Sequence, residues 1–472
     1  MARIELPHIV LVIMDSVAAK RCSVYGHQRR TTPGLERLAG EGVLYRHCFS
    51  PSSWTLPSHV SLFSGLYPRD HGCNIRGGAV FPNNYYTLAE ILRGAGYRTI
   101  GISSNGFMSR DFNFNCGFDE FYEMGTLFNT DRFRRMRRAI RIHRRKYIKT
   151  DLAEVAYILR ESLNHKYYSY PFKHLVDRIY RKSLGNILRK SSYATERALR
   201  LAKRMLKKYQ QRPNFIFINF MEAHVSYNPP RKYHNIITMN RDEADLSQLL
   251  HEQEIAYLDD RLSDLYTFLK KLGLAEQTLF IVTSDHGDGF GEHGLFGHVF
   301  GAYNELVHIP LIVKYPAAFG LQGESRDLVQ LHDLFTTLLE VAGSPVPGPE
   351  SSRSLLSETR AFALVENLET AFAIPRTMRQ KGPNSWVPQS LQPCLALVDR
   401  DLHKLIYWAD GRRELYDLKG DYGETLNLEQ HPAYRSKADL LERKLAELST
   451  PAELAVPPEL AAPQPAAAGS LS

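Results

Sequence analysis

Unbroken apolar runs recur along the chain and are its clearest pattern. The first, HIVLVIMD (8–15), ends in a carboxylate and is typical of a parallel strand that is buried on both faces. The runs NFIFINF (214–220), TLFIVTSD (278–285) and IPLIVKYP (309–316) have the same character. These segments predict the strands of one buried sheet.

Helical patterns alternate with the apolar runs. TTPGLERLAGEG (31–42) has a proline near its start and glycines at its end, which indicates a short helix. TLAEILRGAGYRTIGISSN (87–105) predicts a helix, a glycine-rich turn and a strand, and longer helical patterns lie at 253–272 and 332–343. The alternation predicts an α/β fold with a mixed, mostly parallel sheet flanked by helices.

Two changes of pattern predict the domain organisation. Residues 125–208 are basic, helical in pattern and poor in strand signals, so we expect a helical insertion in a catalytic domain at 1–345. Short strand-like pieces after that domain predict a smaller C-terminal antiparallel subdomain with a closing helix at 346–450. The Pro- and Ala-rich segment 451–472 predicts a disordered tail.

Composition and charge restrict the class of protein. The chain has 472 residues, 43% of them hydrophobic and 23% charged, which is ordinary for a soluble globular protein. No targeting signal and no run long enough to span a membrane is apparent, so we expect a cytoplasmic protein without a transmembrane segment. The five scattered cysteines predict neither a disulfide framework nor a structural zinc site.

The net charge of +8 is concentrated in the basic run at 131–149. Such a run could meet nucleic acid, anionic lipid or an acidic substrate, but a solvated helical face is the favoured interpretation. We therefore expect no nucleic-acid partner, and keep open a peripheral contact with a membrane through the insertion.

Three of the predicted strands lead to polar residues of one chemical kind. HIVLVIMD ends at Asp15, the strand at 214–220 leads to His224, and TLFIVTSD delivers Asp285 and His286. Ligands of an open parallel sheet bind just outside the carboxyl ends of its strands. Carboxylates and imidazoles that converge there suit a divalent cation. A single such Asp is more often a helix cap, but the set favours a metal site.

A hydroxyl group is predicted at the start of a helix in SPSSWTLPSHVSLFSGLYP (50–68). Pro57 fits the first helical turn, which places Thr55 at or just before the helix N-terminus. The unpaired N–H groups and the helix dipole there favour an anion such as a phosphoryl or sulfuryl group. A metal-held Thr55 hydroxyl could be deprotonated and act as a nucleophile, although a simple capping pair fits equally well.

Several segments in the expected order resemble the sulfatase family of the alkaline phosphatase superfamily. They include IVLVIMDS, TTPGLERLAGEGVLYRHCFSPSSWTLPSHVSLFSGLYPRDHG, GYRTIGISSN, CGFDEFYE, SDHGDGFGEHGLFGH, ELVHIPLIVKYP and KLIYWADGRRELYDLKGDYGETLNL. The resemblance covers most of the chain outside the insertion. It implies an alkaline-phosphatase-like catalytic domain that hydrolyses or transfers an anionic ester group.

The resemblance also implies a role for individual residues. Asp15, Asp285 and His286 match metal ligands, and Thr55 occupies the position of the nucleophile, which also binds the metal. His224 and His298 match residues near the substrate's anionic group or leaving oxygen. Asn105 falls in a loop that often lines the pocket, and His59 stands where the family motif has an arginine that faces the substrate. One divalent ion is expected, and Mn, Mg, Ca and Zn all suit this ligand set.

The nucleophile motif departs from that of most sulfatases. They carry Cys or Ser in C/S-x-P-S-R and oxidise it to formylglycine, whereas this chain reads TLPSH at 55–59. Threonine would give a ketone instead of an aldehyde, and Cys48 lies at the wrong spacing to replace it. Formylglycine chemistry is therefore not expected here.

Threonine is the nucleophile in related branches that act on phosphorus, and the pair at 285–286 fits them too. The leading hypothesis is therefore a phosphoesterase or phosphotransferase, with a phosphodiester as the expected substrate and Thr55 as the covalent nucleophile. A sulfate ester hydrolase with threonine in place of formylglycine is the first alternative. A non-catalytic binding protein with the same fold is the second. The substrate is expected to be an anionic ester, and a link to a lipid or to a glycan is kept open.

Overall fold

The computed structural model describes most of the chain outside the basic insertion and the tail. The described residues are 6–73, 81, 85–124, 192–225, 227–235, 246–294, 296–299, 301–368 and 392–449. The predicted insertion lies outside them except for 192–208, and the predicted tail at 451–472 lies wholly outside them.

A large sheet of eight described strands forms the centre of the molecule. Across the sheet the strands are β10 (Gly323–Gln330), β2 (Val43–Phe49), β9 (His308–Lys314), β6 (Thr278–Thr283), β1 (His8–Met14), β5 (Asn214–Phe220), β3 (Arg98–Ser103) and β4 (Glu120–Glu123). Only β9 runs antiparallel to its neighbours, and the other pairs among these strands are parallel. The predicted mixed, mostly parallel sheet is thus confirmed. Apart from this sheet, the short strands β7 (Gly289–Phe290) and β8 (Phe296–Gly297) pair with each other.

The middle of this sheet is apolar because helices cover both of its faces. The strands β1, β5 and β6 are buried along their whole length, as their unbroken apolar runs predict. On one face pack α1 (Pro33–Ala39), α5 (Ser192–Lys208) and α6 (Leu246–Lys271), and on the other α2 (Thr55–Ser64), α4 (Leu88–Gly94) and α8 (Asp333–Val341). The short helix α3 (Pro68–His71) packs against α2, and the short helix α7 (Asn304–Val307) leads directly into β9.

The helix α5 changes the predicted extent of the insertion. It falls at the end of the segment predicted as an insertion, yet its residues Ala198, Ala202 and Leu206 are buried against β5, β3 and α6. Its apolar face therefore packs on the large sheet, so residues 192–208 are part of the main α/β domain. Among the described helices, none is long and apolar enough to cross a membrane.

The C-terminal part forms a second, antiparallel sheet. Its strands follow one another as a meander of β11 (Phe362–Asn367), β12 (Cys394–Asp399), β13 (His403–Trp408) and β14 (Arg413–Asp417). One face packs on the main domain through Phe49 and Tyr303, and the other is covered by α9 (Arg435–Leu448). The predicted smaller subdomain with a closing helix is present.

Candidate active site

The predicted site residues converge because β1, β5 and β6 are adjacent parallel strands. Asp15 directly follows β1, and Asp285 and His286 follow β6 at the same edge of the sheet. Ligand atoms of these three side chains lie within 4.8 Å of one another, and all three residues are buried. The structure therefore brings together three of the four residues that were predicted as metal ligands. The fourth, Thr55, is described below.

The two carboxylates and the imidazole suit a divalent cation, and one carboxylate oxygen of the set has no hydrogen-bond partner. Asp285 Oδ2 is buried without a hydrogen bond, and its neighbours His286 Nε2 and His59 Nδ1 are 3.3 and 3.5 Å away. Burial and the nearby charge of Asp15 raise the pKa of Asp285 to about 7. A cation between the two carboxylates would relieve this repulsion, so these residues fit the metal that the family typically binds.

The remaining atoms of the ligands are held by hydrogen bonds. Asp15 Oδ2 accepts from Asn105 Nδ2 at 2.7 Å and from Asn219 Nδ2 at 3.4 Å. Asp285 Oδ1 accepts from the backbone N–H groups of Ser16 and His286 at 3.1 and 2.9 Å. His286 donates Nδ1–H to the Gly287 carbonyl at 2.8 Å, which leaves Nε2 as the nitrogen that can bind a cation.

Thr55 lies beside the ligand set at the start of α2. The helix begins at Thr55 with Pro57 in its first turn, as predicted. Thr55 Oγ1 is 3.2 Å from His286 Nε2, and only 3% of the residue is exposed. The hydroxyl therefore meets both the positive end of a helix and the cation-binding group, which is the arrangement that an anionic ester requires.

His59 lies behind Thr55, one helical turn along α2. Its ring is fully buried, and Nδ1–H donates to the Thr55 carbonyl at 2.8 Å. The ring also packs edge-on against Phe114 and Phe217. These contacts hold the first turn of α2, so the structure gives His59 a supporting position beneath the nucleophile instead of a place in the pocket wall.

Two further histidines stand on the open side of the ligand set. The ring of His298 is centred 4.5 Å from that of His286 and 5.0 Å from that of His224. His298 Nδ1 contacts Asp288 Oδ1 at 3.2 Å, and Asp288 Oδ2 accepts a hydrogen bond from Tyr227 at 2.6 Å. Burial opposes the charge of His298, but its hydrogen bond to Asp288 and the charge of that carboxylate raise its pKa above the ordinary value.

The backbone after His298 is strained and tied at two points. Val299 has a φ of 88°, which is unusual for a β-branched residue. Its N–H donates to the Ser53 carbonyl at 3.0 Å, and its carbonyl accepts from Asn367 Nδ2 of β11 at 3.1 Å. The preceding residue of the same strand, Glu366, donates its N–H to the Pro51 carbonyl at 2.8 Å. The segments that carry His298 and Thr55 are thus fastened to each other and to the C-terminal sheet.

Some members of the site were not predicted. Asn219 and Ser16 hold the ligands, and Asp288 pairs with His298. Asn219 is the second of the two asparagines in the run NFIFINF and stands near its carboxyl end, so the rule that selected Asp15 could have found it. Two other titratable residues nearby are engaged elsewhere, Glu292 with Lys20 and Arg21, and His293 with Glu305.

Asn105 was predicted to contact the substrate, and the structure shows what it does in the protein. It is 5% exposed, and both ends of its amide are used. Nδ2 donates to Asp15, and Oδ1 accepts from the Phe107 N–H at 2.8 Å. Asn105 therefore orients a metal ligand. Cys48 is buried in the apolar core, in keeping with its exclusion as a nucleophile.

Comparisons with known proteins agree with this geometry. A family model described as Sulfatase matches residues 7–344. An N-acetylgalactosamine-6-O-sulfatase of Bacteroides thetaiotaomicron is 24% identical, over 93% of this chain and 93% of the relative. The phosphonate monoester hydrolase of Agrobacterium radiobacter shares the fold with a TM-score of 0.66 at 18% identity, over 94% and 95% of the two chains. A protein solved with its substrate D-glucosamine-2-N,6-O-disulfate has the same TM-score and identity, over 95% and 98%. The chain belongs to the sulfatase family and is a hydrolase of the alkaline phosphatase superfamily.

Proposed function

We propose that the protein hydrolyses a sulfate ester, with Thr55 as the nucleophile and a sulfated sugar as the substrate. The observation that carries the proposal is the position of the Thr55 hydroxyl. It lies at a helix N-terminus, 3.2 Å from His286 Nε2 and beside two buried carboxylates. An ester anion placed there would meet a nucleophile, a cation site and helix N–H groups at once.

The relatives favour sulfate over the phosphodiester that the sequence suggested. Curated relatives that match over 72% to 93% of the chain are named as sulfatases, and three of them are named for amino sugars. Because relatives and structural neighbours are enzymes and the ligand set is complete, a non-catalytic binding protein is the weakest of the three hypotheses.

The metal ligands and Thr55 have separate roles in the proposed reaction. Asp15, Asp285 and His286 would hold the divalent ion, which supplies Lewis-acid stabilisation of the ester oxygens and lowers the pKa of a bound hydroxyl. Thr55 Oγ1 forms a bond to sulfur while the bond from sulfur to the leaving alcohol oxygen breaks, and that oxygen takes up a proton. Water then attacks the same sulfur, which releases sulfate and restores the Thr55 hydroxyl.

The histidines have separate tasks in this scheme. His224 and His298 face the open side of the site, where they can donate hydrogen bonds to the ester oxygens and to the leaving group. Asp288 holds the His298 ring through Nδ1, so that Nε2 points away from the carboxylate. His59 keeps the Thr55 turn in place from behind.

A panel of substrates tests the proposal. Purified protein, reloaded with Mn, Mg, Ca or Zn in turn, is assayed with an aryl sulfate, an N-acetylglucosamine 6-sulfate, a phosphate monoester and a phosphodiester. We expect turnover of the sulfates and a loss of about 10³-fold or more in Thr55→Ala. Thr55→Ser is the matched control, since it keeps the hydroxyl and should retain measurable turnover. Preference for the phosphodiester, lost in Thr55→Ala, would refute the sulfate proposal and keep the nucleophile.

A phosphorus ester remains the second candidate because of the residue at position 55. Threonine cannot form the aldehyde of formylglycine, and the phosphonate monoester hydrolase that shares this fold acts, by its name, on a phosphorus ester. The candidate predicts that a phosphonate monoester is turned over faster than any sulfate in the panel. Equal or faster turnover of an aryl sulfate contradicts it.

A further inference from the structure

A large cleft lies apart from the catalytic residues. It is bounded by the loop after β1, by β2, by β10 and by the C-terminal sheet, and has a volume of about 1110 Å³. None of the residues assigned to catalysis or to the metal lines it. The volume is far larger than a single sulfate or phosphate ion and is of the size that binds organic ligands.

The charge of the cleft has one sign. Four of the described lining residues are permanent cations, namely Lys20, Arg29, Arg46 and Arg326, and none of the described lining residues is Asp or Glu. A concave surface of one charge concentrates ions of the opposite charge. Guanidinium groups in particular match the paired oxygens of sulfate and phosphate groups.

In the wall formed by the loop after β1, the carboxylate of Glu252 lies behind the cations and out of reach of a ligand. Arg29 is paired with Glu252 at 2.6 Å, but the Glu252 side chain is fully buried while that of Arg29 is 19% exposed. Glu252 also contacts Arg21 at 3.6 Å and His27 at 3.2 Å. One buried carboxylate therefore contacts two guanidinium groups and an imidazole, but Arg21 also pairs with Glu292, so the charges behind this wall are balanced. Neither carboxylate is among the residues that line the cleft, whereas Arg29 is, so this wall presents a cation to a ligand.

The wall formed by β2 and β10 has an excess of positive charge. Glu324 is shared between Arg46 at 2.6 Å and Arg326 at 3.1 Å, so two guanidinium groups meet one carboxylate. Arg46 is further held over the Tyr25 ring at 5.8 Å. Burial, followed by the charges of Arg326 and Arg46, lowers the pKa of His47 in the same wall. The contribution of the two arginines to this lowering is what a positive local potential produces.

We propose that this cleft is a second anion-binding site, which takes the sulfate or phosphate groups of a polyanionic saccharide. The walls supply cations on two sides, and the 37% exposed ring of Tyr422 gives an aromatic surface for a sugar. The choice of a saccharide rests on the proposed function, whereas the anion chemistry rests on the cleft alone. Lys20 of the cleft contacts Glu292, six residues beyond the ligand His286, so one wall connects the two sites.

Calorimetric titration with three probes tests the proposal. The probes are a disaccharide that carries three sulfate groups, its unsulfated counterpart and inorganic sulfate, each titrated into the full chain with Thr55→Ala to prevent turnover. We expect the sulfated disaccharide to bind, the unsulfated one not to bind, and affinity to fall as salt is raised. In the double variant Arg46→Gln/Arg326→Gln the affinity should fall about tenfold or more.

A control of equal charge change separates the cleft from the general surface. Arg110→Gln/Arg353→Gln removes two other exposed, carboxylate-paired arginines and should bind as the parent does. Unchanged affinity in Arg46→Gln/Arg326→Gln, or an equal loss in the control, overturns the proposal. If only inorganic sulfate loses affinity, the cleft takes free ions and the saccharide is refuted.

Two further measurements keep the result interpretable. Arg326→Gln alone changes a side chain that is 80% exposed, so it should fold normally and show a partial loss of affinity. When Thr55 is left unchanged, so that the enzyme can turn over, Arg46→Gln/Arg326→Gln should keep the kcat/KM for a small aryl sulfate. An inactive parent enzyme would refute the proposed function and leave the titrations valid.

Discussion

The two amides on Asp15 offer a graded test of how the metal site is held. Asn105 and Asn219 both donate to Asp15 Oδ2, but at 2.7 and 3.4 Å. The first is a short hydrogen bond to a charged, buried acceptor, and the second is beyond the usual distance. We therefore predict that Asn105→Ala weakens metal binding much more than Asn219→Ala does.

The magnitude follows from the short bond. A hydrogen bond to a charged group contributes about 1.5–3 kcal/mol, and about 1.36 kcal/mol corresponds to a tenfold change in affinity. The loss of the Asn105 bond should therefore raise the dissociation constant of the metal by about 10- to 100-fold, in line with other residues that orient metal ligands. For Asn219→Ala we expect less than about threefold, because little hydrogen-bond energy is left at that distance.

The assay is a calorimetric titration of metal-free protein with Mn²⁺ or Zn²⁺. Asn105 Oδ1 also accepts from the Phe107 N–H, so the melting temperature of each metal-free variant is measured to detect damage to that loop. Equal losses of affinity in the two variants, or a larger loss in Asn219→Ala, would show that the short bond does not orient the ligand.

Three further predictions concern the scaffold. In Gly287→Ala the new Cβ would lie 2.1 Å from the Glu305 carbonyl oxygen, so the backbone must shift, and the same titration should show weaker metal binding. Arg360→Leu leaves Asp333 buried without its cation, and urea unfolding should show a loss of about 3–5 kcal/mol; an unchanged midpoint would contradict this. Burial raises the pKa of Glu222 to about 7, so its contribution to stability is full below about pH 4.5 and is lost as pH rises through 7. Glu222→Gln should therefore match the parent at pH 4 and be more stable at pH 8 by up to about 3 kcal/mol, which unfolding curves at both pH values can disprove.

Much of the fold could be predicted because buried strands leave a direct trace in the sequence. The runs that became β1, β5, β6 and β9 are apolar along their length since both faces of the sheet are covered. The edge strand β10 gave no such signal. Its first five residues, GESRD, are polar and mostly exposed, and it is a strand because β2 supplies hydrogen-bond partners.

The residues of the site that directly follow a strand, or that stand at a motif position, could be predicted from the sequence. Asp15, Asp285 and His286 meet because their strands are neighbours and parallel. The positions of His59 and Asn105 depend on packing. A histidine at an arginine position turned inward to the Thr55 carbonyl, and an asparagine expected in the pocket wall bonds a ligand instead. Asn105 and Asp15 are 90 residues apart, and the rings that pack against His59, Phe114 and Phe217, are also far from it in sequence, so no local pattern marks these contacts.

The contacts of strand β11 restrict how the two parts of the chain can evolve. Its residues Glu366 and Asn367 bond the backbone at Pro51 and Val299, next to the segments of Thr55 and His298. The C-terminal sheet is therefore part of the catalytic frame and cannot be exchanged as an independent module. A chimaera that joins the main domain of one relative to the C-terminal sheet of another would keep its activity only if these backbone contacts can still form. The two halves of the chain must consequently diverge together.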